Sequence, residues 1–275
     1  MKILVTGSSG FIGSNLIKKL KGNVIQYDRN NNPLETLDNK DLLKSKLKDI
    51  EIVYHLAGIS NPNSEDLYNV NFLGTKNLID SINELGQNTK IIYASTFGVY
   101  QIPQKGDIIN ERYKINPRNE YGRSKLKAES LVLNNSKNIV LRLSNIYGIG
   151  MSPEKHSVVA NFIDSIVKNI DIKVFEKNAT RDFLHIDDAI DAFIKASENV
   201  DGGIFNICTG VETSILDLIK LIEKKLNKKA KLNFSTKTSG SGYWRGDYSK
   251  AQNILKWKPS IFLEKGISDI IDQII

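Results

Sequence analysis

Cysteine is almost absent: Cys208 stands alone among 275 residues. One thiol cannot close a disulfide within the chain or build a cysteine-based zinc site. Cys208 falls in an apolar run and reads as a small buried hydrophobe. Histidine is scarce, three in all, so metal catalysis is not the expectation and no metal ligands are assigned. No apolar run approaches the roughly 18–20 residues that span a bilayer. The opening MKILVTGSSG has neither the apolar stretch nor the small-residue cleavage site of a secretory signal. A cytoplasmic protein without a membrane partner is expected. Internal repeats and low-complexity tracts are lacking too. What the composition does carry is positive charge, 38 Lys and Arg against 31 Asp and Glu, net +7. The basic residues are dispersed. The densest cluster, KKLNKKAK at 224–231, lies on the tail of an amphipathic helix. It lacks the interleaved aromatics on which single-stranded nucleic acid stacks, so nucleic acid is not an expected partner.

Along the first half, short apolar runs alternate with helical periodicity. The runs are KILVT (2–6), NVIQYD (23–28), EIVYHLAG (51–58), KIIYAS (90–95) and NIVLRLSN (138–145). Helical patterns cover FIGSNLIKKL, 39–48, 66–85 and the segment from 119. Strands alternating with helices predict parallel pairing and right-handed crossovers. After about residue 146 the pattern loosens. Helices are expected at VVANFIDSIVKN, at DDAIDAFIKASE behind an aspartate cap, and at SILDLIKLIEKKL with a serine near its start. IKVF reads as a short strand, GIFNIC (203–208) as a strand rejoining the sheet, and STKTSGSGYWRGD (235–247) as a loop. The predicted fold is α/β: a doubly wound, Rossmann-type parallel sheet over 1–145, with 175–210 partly returning to it. A smaller α/β lobe takes most of 146–275.

TGSSGFIG carries Gly7, Gly10 and Gly13 between the first strand and the first helix. Glycines there let the backbone turn tightly, approach a pyrophosphate and pack helix on strand. The helix N-terminus, at Phe11 and Ile12, then points unpaired N–H groups at the phosphates. The usual spacing is G-x-G-x-x-G; here the first glycine lies one place earlier. Asp28 ends the second strand at about the spacing, roughly 20 residues, of a ribose-binding carboxylate. A carboxylate repels a 2′-phosphate and favours NAD over NADP, while Arg29 beside it pulls the other way. Asp38, taken as the end of a third strand, is either an adenine contact or a helix N-cap.

TGSSGFIG, HLAG (55–58), NFLGT (71–75), STFGVY (95–100), YGRSK (121–125), LRLSNIYG (141–148) and RDFLHIDD (181–188) resemble, in this order, the extended short-chain dehydrogenase/reductase family. More narrowly they are similar to its NAD-dependent sugar-nucleotide epimerases and dehydratases. The resemblance implies NAD, a nucleotide-sugar substrate and a homodimer through helices 66–85 and 119–136. It implies a loop at Leu56, Ala57 and Gly58 against the cofactor. Tyr121 is implied as the base, with Lys125 activating it and holding the nicotinamide ribose. A free tyrosine has a pKa near ~10, and an ammonium one helical turn away is expected to lower it.

The resemblance further implies Thr96 as the catalytic hydroxyl, with Ser95 able to share the role. Asn145 is implied to bond the substrate near its phosphates. Arg181 and Arg245 could clamp the diphosphate; equally, Arg181 could pair with Asp187 or Asp188, and Arg245 could be a solvated loop residue. His185 is expected to pack or bond locally. The 4,6-dehydratases of the family use an Asp-Glu pair after the threonine, and here those places hold Phe97 and Gly98. Epimerisation at C4 of a UDP-sugar such as UDP-glucose or UDP-N-acetylglucosamine is the leading expectation, within cell-envelope polysaccharide synthesis. A 4-keto sugar-nucleotide reductase or a non-catalytic dinucleotide binder are the alternatives. The chain departs from the family in its compression between Asp28 and the fourth strand, in EKNAT before RDF, and in a trimmed arginine loop.

Overall fold

The computed structural model describes residues 1–151, 157–175, 179–198, 201–235 and 242–274. The first half runs β1 (Lys2–Thr6), α1 (Phe11–Lys19), β2 (Asn23–Tyr27), α2 (Lys40–Leu47), β3 (Ile52–His55), α3 (Gly74–Glu84), β4 (Lys90–Thr96), α4 (Glu120–Val132) and β5 (Ile139–Leu143). The second runs β6 (Asn145–Tyr147), α5 (Val158–Val167), β7 (Ile172–Val174), β8 (Thr180–His185), α6 (Ile186–Ser197), β9 (Gly203–Ile207), β10 (Glu212–Ser214), α7 (Ile215–Leu226), β11 (Leu232–Phe234), α8 (Ser249–Ile254) and α9 (Leu263–Ile271).

Successive side chains of a strand point to opposite faces, and here both faces are apolar. In β1, Ile3 and Val5 pack with Leu16 of α1 and with Ala189, Ala192 and Phe193 of α6. Leu4 points the other way, into a cluster with Leu43 of α2, Leu78 of α3 and Ala128 of α4. The same alternation runs through β4 and β5. A sheet greasy on both sides must be covered on both sides, and parallel strands joined by crossover helices provide this. The result is a six-stranded sheet in the order β2-β1-β3-β4-β5-β9, parallel throughout. The expected doubly wound α/β fold is the one found. Its order reverses between β1 and β3, and such a switch point opens a crevice at the carboxyl ends of the strands.

Several local expectations are corrected. No strand ends at Asp38. That residue lies in a turn, and α2 alone carries the chain from β2 to β3. Asn39, not Asp38, caps α2, its side chain accepting from the Leu42 amide. The helix expected over 66–85 opens with a π turn at Asn69–Leu73. The cap of α6 is His185, whose Nδ1 accepts from the Asp187 amide at 3.2 Å; the aspartates fall inside the first turn. The local role expected of His185 is the one seen. Ser214 caps α7. Of the loop expected over 235–247, residues 236–241 lie outside the described residues, as do 176–178 of EKNAT.

In the second half, β10, β8 and β6 form a small sheet and β11 pairs with β7. α5, α7 and α9 pack around Tyr147, Ile163, Phe183, Leu218 and Ile267. α6 and β9 return to the main sheet, and a buried carboxylate ties this return to the segment before the last helix. Asp188 in α6 accepts from the Ser260 amide (3.0 Å), the Ser260 hydroxyl (2.6 Å) and the Ile261 amide (3.0 Å). Its own carbonyl accepts from Trp257 Nε1 at 2.9 Å. Hydrogen bonds to a charged acceptor contribute about 1.5–3 kcal/mol each, and removing the acceptor orphans its donors. Asp188→Ala is therefore expected to lower stability by about 3 kcal/mol, and Asp188→Asn by less, measured as the urea midpoint at unchanged m-value.

Candidate active site

Because the strands of the main sheet are parallel, the loops after β1 to β5 gather at one edge. The glycine turn is built for close approach. Gly7 has φ +69°, and a Cβ there would stand 2.5 Å from the Ala57 amide nitrogen. A Cβ on Gly13 would stand 2.2 Å from the Gly7 carbonyl oxygen. Gly10, at the N-cap of α1, brings no side-chain acceptor, which leaves the first-turn amides at Phe11 and Ile12 facing the crevice edge. Asp28 is buried under this turn. Its Oδ2 accepts from the Ser9 amide (3.0 Å) and its Oδ1 from the Asn30 amide (2.8 Å). Arg29 beside it is exposed. Leu56 and Ala57 are held to Thr6, the Leu56 amide to its carbonyl (3.2 Å) and the Ala57 amide to its hydroxyl (3.3 Å). A tight turn, a helix start without a side-chain cap and a carboxylate aimed into the turn fit a dinucleotide.

A second close approach sets the Tyr121 and Lys125 pair. Asn119 caps α4, its side chain accepting from the Gly122 amide at 2.9 Å. A Cβ on Gly122 would stand 2.3 Å from the Gly98 carbonyl oxygen. The helix start thus sits directly on the 3₁₀ turn Phe97–Val99, which brings the Tyr121 phenol near enough to the Thr96 side chain to feel it. Thr96 Oγ1 also accepts from the Gly98 amide at 3.0 Å. Lys125 is buried at 4% exposure. Its Nζ lies 4.4 Å from the centre of the Tyr93 ring and 3.4 Å from where a Gly58 Cβ would be.

The expected electrostatics of this pair need correction. Burial pushes the Tyr121 phenol up to about 12, opposed by the neighbouring Thr96 hydroxyl. Burial pulls the Lys125 ammonium down to about 7, opposed by the charge of Glu129. Desolvation disfavours both charged forms. It outweighs the expected pull of lysine on phenol because the lysine is itself out of water.

Beneath the pair lies a polar layer that sequence reading missed. His55 Nδ1 is 2.7 Å from Thr6 Oγ1, and Nε2 is 2.8 Å from Thr75 Oγ1. Burial, with the Lys125 charge adding to it, pulls His55 down to about 3, so it stays neutral. Asn71, in the π turn, donates through Nδ2 to Ser124 Oγ (3.0 Å) and the Ile59 carbonyl (2.9 Å). Its Oδ1 accepts from the Ile59 amide at 2.7 Å. Glu129 and Arg142 form a buried ion pair, Nη2 to Oε2 at 2.6 Å. Ser95 donates to Glu129 Oε1. Thr96 and Ser95 are consecutive on β4 and face opposite ways. Two signals pointed to the ion pair. Glu129 continues the helix face of Tyr121 and Lys125 at i+4, and Arg142 interrupts an apolar strand that can hold a charge only if it is paired.

On the lobe side, Asn145 begins β6 and is exposed. Arg181, half-buried on β8, donates from Nη1 to the Thr180 carbonyl at 2.7 Å. Arg245 is exposed and donates from Nε to the Gly210 carbonyl at 3.0 Å. Phe97 is buried with Val99, Tyr100, Ile109 and Cys208, and Gly98 has no side chain, so neither position offers an acid or base. Among the described residues no group of His, Cys, Asp and Glu could hold a metal ion, and no helix is long and apolar enough to cross a membrane.

The sequence profile of the NAD dependent epimerase/dehydratase family matches residues 3–208. A putative UDP-glucose 4-epimerase of Methanocaldococcus jannaschii is 33% identical over 98% of this chain and 97% of its own length. Among solved structures, the UDP-glucuronic acid 4-epimerase of Bacillus cereus, in complex with UDP-glucuronic acid and NAD, is similar with a TM-score of 0.85. It is 29% identical, and 100% of both chains is covered. The UDP-glucose 4-epimerase of Thermotoga maritima, with UDP-glucose, is similar with a TM-score of 0.87 and 26% identity. Here 100% of this chain and 99% of that one are covered. A profile over most of the chain and a full-length relative agree with the assembled crevice, and the chain belongs to the NAD dependent epimerase/dehydratase family.

Proposed function

We propose that this enzyme inverts C4 of a UDP-sugar through a transient 4-keto sugar. The observation that carries the reading is the close seating of the Tyr121 and Lys125 helix start on the turn after Thr96, a Cβ on Gly122 standing 2.3 Å from the Gly98 carbonyl oxygen, with no acid or base at Phe97 and Gly98. NAD held at the glycine turn would supply the hydride acceptor, and then the hydride donor, for C4. With the positive charge of a bound nicotinamide and of Lys125 favouring its phenolate, Tyr121 would take the C4 hydroxyl proton and return it to the epimer. Thr96 bonds the same oxygen and keeps the phenol oriented. Lys125, beside the loop at Gly58, holds the cofactor ribose, and Asp28 accepts from the adenosine ribose. Asn145, Arg181 and Arg245 receive the diphosphate, two guanidiniums suiting paired oxyanions. UDP-glucose and UDP-N-acetylglucosamine are the first substrates to test; UDP-glucuronic acid joins them, being bound by the Bacillus cereus relative.

The same reading includes a homodimer through α3 and α4, a cytoplasmic setting and a supply of sugars for polysaccharide. Exposed Tyr68 and Leu73 on the surface leading into α3 favour the dimer, with Lys127 of α4 lying 5.0 Å over the Tyr68 ring.

The purified enzyme is expected to equilibrate C4 epimers of one UDP-sugar without added cofactor. Tyr121→Phe should lower kcat by about 10²–10⁴-fold with UDP affinity within a few fold. Undiminished turnover would sink the mechanism, and a stoichiometric NADPH requirement would favour a reductase.

A pH prediction follows from Lys125. Its folded pKa, about 7, lies below the ordinary 10.5, so between these values the unfolded chain binds the extra proton. Stability from this residue therefore rises with pH from about 7 towards 10. In cofactor-free protein Lys125→Met should abolish that rise, and its Tm advantage over wild type should be largest at pH 7 and shrink by pH 9.5.

A further inference from the structure

Arg181, Asn145 and Arg245 come from three distant parts of the chain, yet one buried side chain reaches all three neighbourhoods. Asp182, next to Arg181 on β8, is fully buried. Its Oδ1 accepts from Ser144 Oγ (3.2 Å), the Thr209 amide (2.8 Å) and Thr209 Oγ1 (2.8 Å). Its Oδ2 accepts from the amides of Gly210 (2.9 Å) and Gly246 (3.2 Å). Ser144 immediately precedes Asn145. Gly246 immediately follows Arg245. Gly210 is the residue whose carbonyl accepts from Arg245 Nε.

Every one of these partners is a donor towards Asp182. An ionised carboxylate is acceptor-only and suits such a shell; a carboxamide would turn an NH2 against amide N–H groups. Burial pushes the Asp182 carboxyl up, and the bonds from Thr209, Gly246 and Gly210 oppose that. The approach of the 245–247 backbone is itself tight. A Cβ on Gly246 would stand 2.4 Å from Cys208 Sγ and 2.8 Å from Phe97 Cζ. The segment is thus pressed onto Asp182 from one side while Ile109 pairs with its far side, its amide donating to the Arg245 carbonyl at 2.9 Å. Thr209 and Gly210 lie outside the named strands and Gly246 pairs only through an isolated bridge to Ile109, so the Asp182 side chain adds the contact that joins these backbones to one another.

We propose that Asp182 is a positioning residue for the nucleotide-diphosphate end of the substrate, holding Asn145 and Arg245 in register with Arg181 without touching the ligand. This deepens the reading of the site as a UDP-sugar site and rests on it. Because the node lies on the lobe side of the crevice, its loss should weaken nucleotide binding while leaving cofactor binding and the Tyr121 step in place.

The experiment uses holoenzyme with UDP as the probe. Asp182→Asn is expected to raise the Kd for UDP and the KM for the UDP-sugar about tenfold or more, with kcat and NAD content within about twofold. Thr209→Val, which removes one donor, should raise the UDP Kd about threefold, and Thr209→Ser, which keeps the hydroxyl, should restore it. UDP affinity unchanged in folded Asp182→Asn would overturn the proposal. So would a parallel loss of UDP and NAD binding, which is the signature of a general structural role. Should Asp182→Asn fail to fold, the threonine pair decides, and equal UDP affinity in Thr209→Val and wild type is the overturning result. Wild-type enzyme that binds no UDP would instead defeat the UDP-sugar reading, and this proposal with it.

Discussion

Backbone meets backbone at the carboxyl edge of the sheet, and the placement of Thr96, Tyr121 and Lys125 depends on it. A Cβ would come within 2.5 Å of Ala57 at Gly7, within 2.2 Å of Gly7 at Gly13 and within 2.3 Å of Gly98 at Gly122. Real Cβ contacts do not get so short, so each pair of segments is locked at a separation that only glycine permits. The first two contacts seat the cofactor turn between β1, α1 and the loop after β3. The third seats the start of α4 on the turn after β4. Tyr121 reaches Thr96 because the residue beside it has no side chain, and Lys125, one turn on, comes to Gly58. Spacing within YGRSK puts tyrosine and lysine on one helix face; the glycine inside it puts that face against the strand ends.

Removing water from this junction has an electrostatic consequence. Tyr121 moves up and Lys125 moves down, so in the isolated fold both lean towards their neutral forms. The layer below is arranged the same way. His55 is kept neutral between two threonine hydroxyls, and the charged pair there, Glu129 with Arg142, neutralises itself. A crevice that carries little charge of its own is strongly responsive to charge brought into it, since Coulomb terms grow as the effective dielectric falls. The Asp28 carboxylate stands apart from this, at the turn, where two amides solvate it.

What could be read from the sequence was what is local. The glycine turn, Asp28 behind it, the Tyr121 and Lys125 pair and Thr96 before the 3₁₀ turn depend on short spacings, and the fold brings Thr96, Tyr121 and Lys125 together. Ser95 turns away from Thr96 towards Glu129 for an equally local reason: consecutive strand residues face opposite ways. Asp38, expected at a strand end or a helix cap, lies in a turn, and the next residue, Asn39, takes the cap of α2. The buried polar layer was illegible for a different reason. His55 meets Thr6 across 49 positions and Asp182 meets Gly246 across 64. No periodicity encodes such pairs, although a charge inside an apolar run, as at Arg142, announces that a partner must exist.

The two halves of the molecule hold their site residues by different means. The main sheet has long parallel ladders, and glycines suffice to set its loops. In the second half β6, β7, β10 and β11 are three residues each, too short for ladders to fix the segments between them. Buried carboxylates fix those segments instead. Asp188 binds α6 to the segment before α9, and Asp182 binds the loops that present Asn145 and Arg245. Both sit in RDFLHIDD, on the strand and helix that carry the chain back to the main sheet. Charge-assisted bonds of this kind are directional and orphan several amides when broken. The loops around them can therefore change length and sequence, provided a backbone amide still arrives at each carboxylate oxygen. A lobe pinned at a few buried points can remodel its substrate contacts while the cofactor turn and the Tyr121 junction stay where the glycines put them.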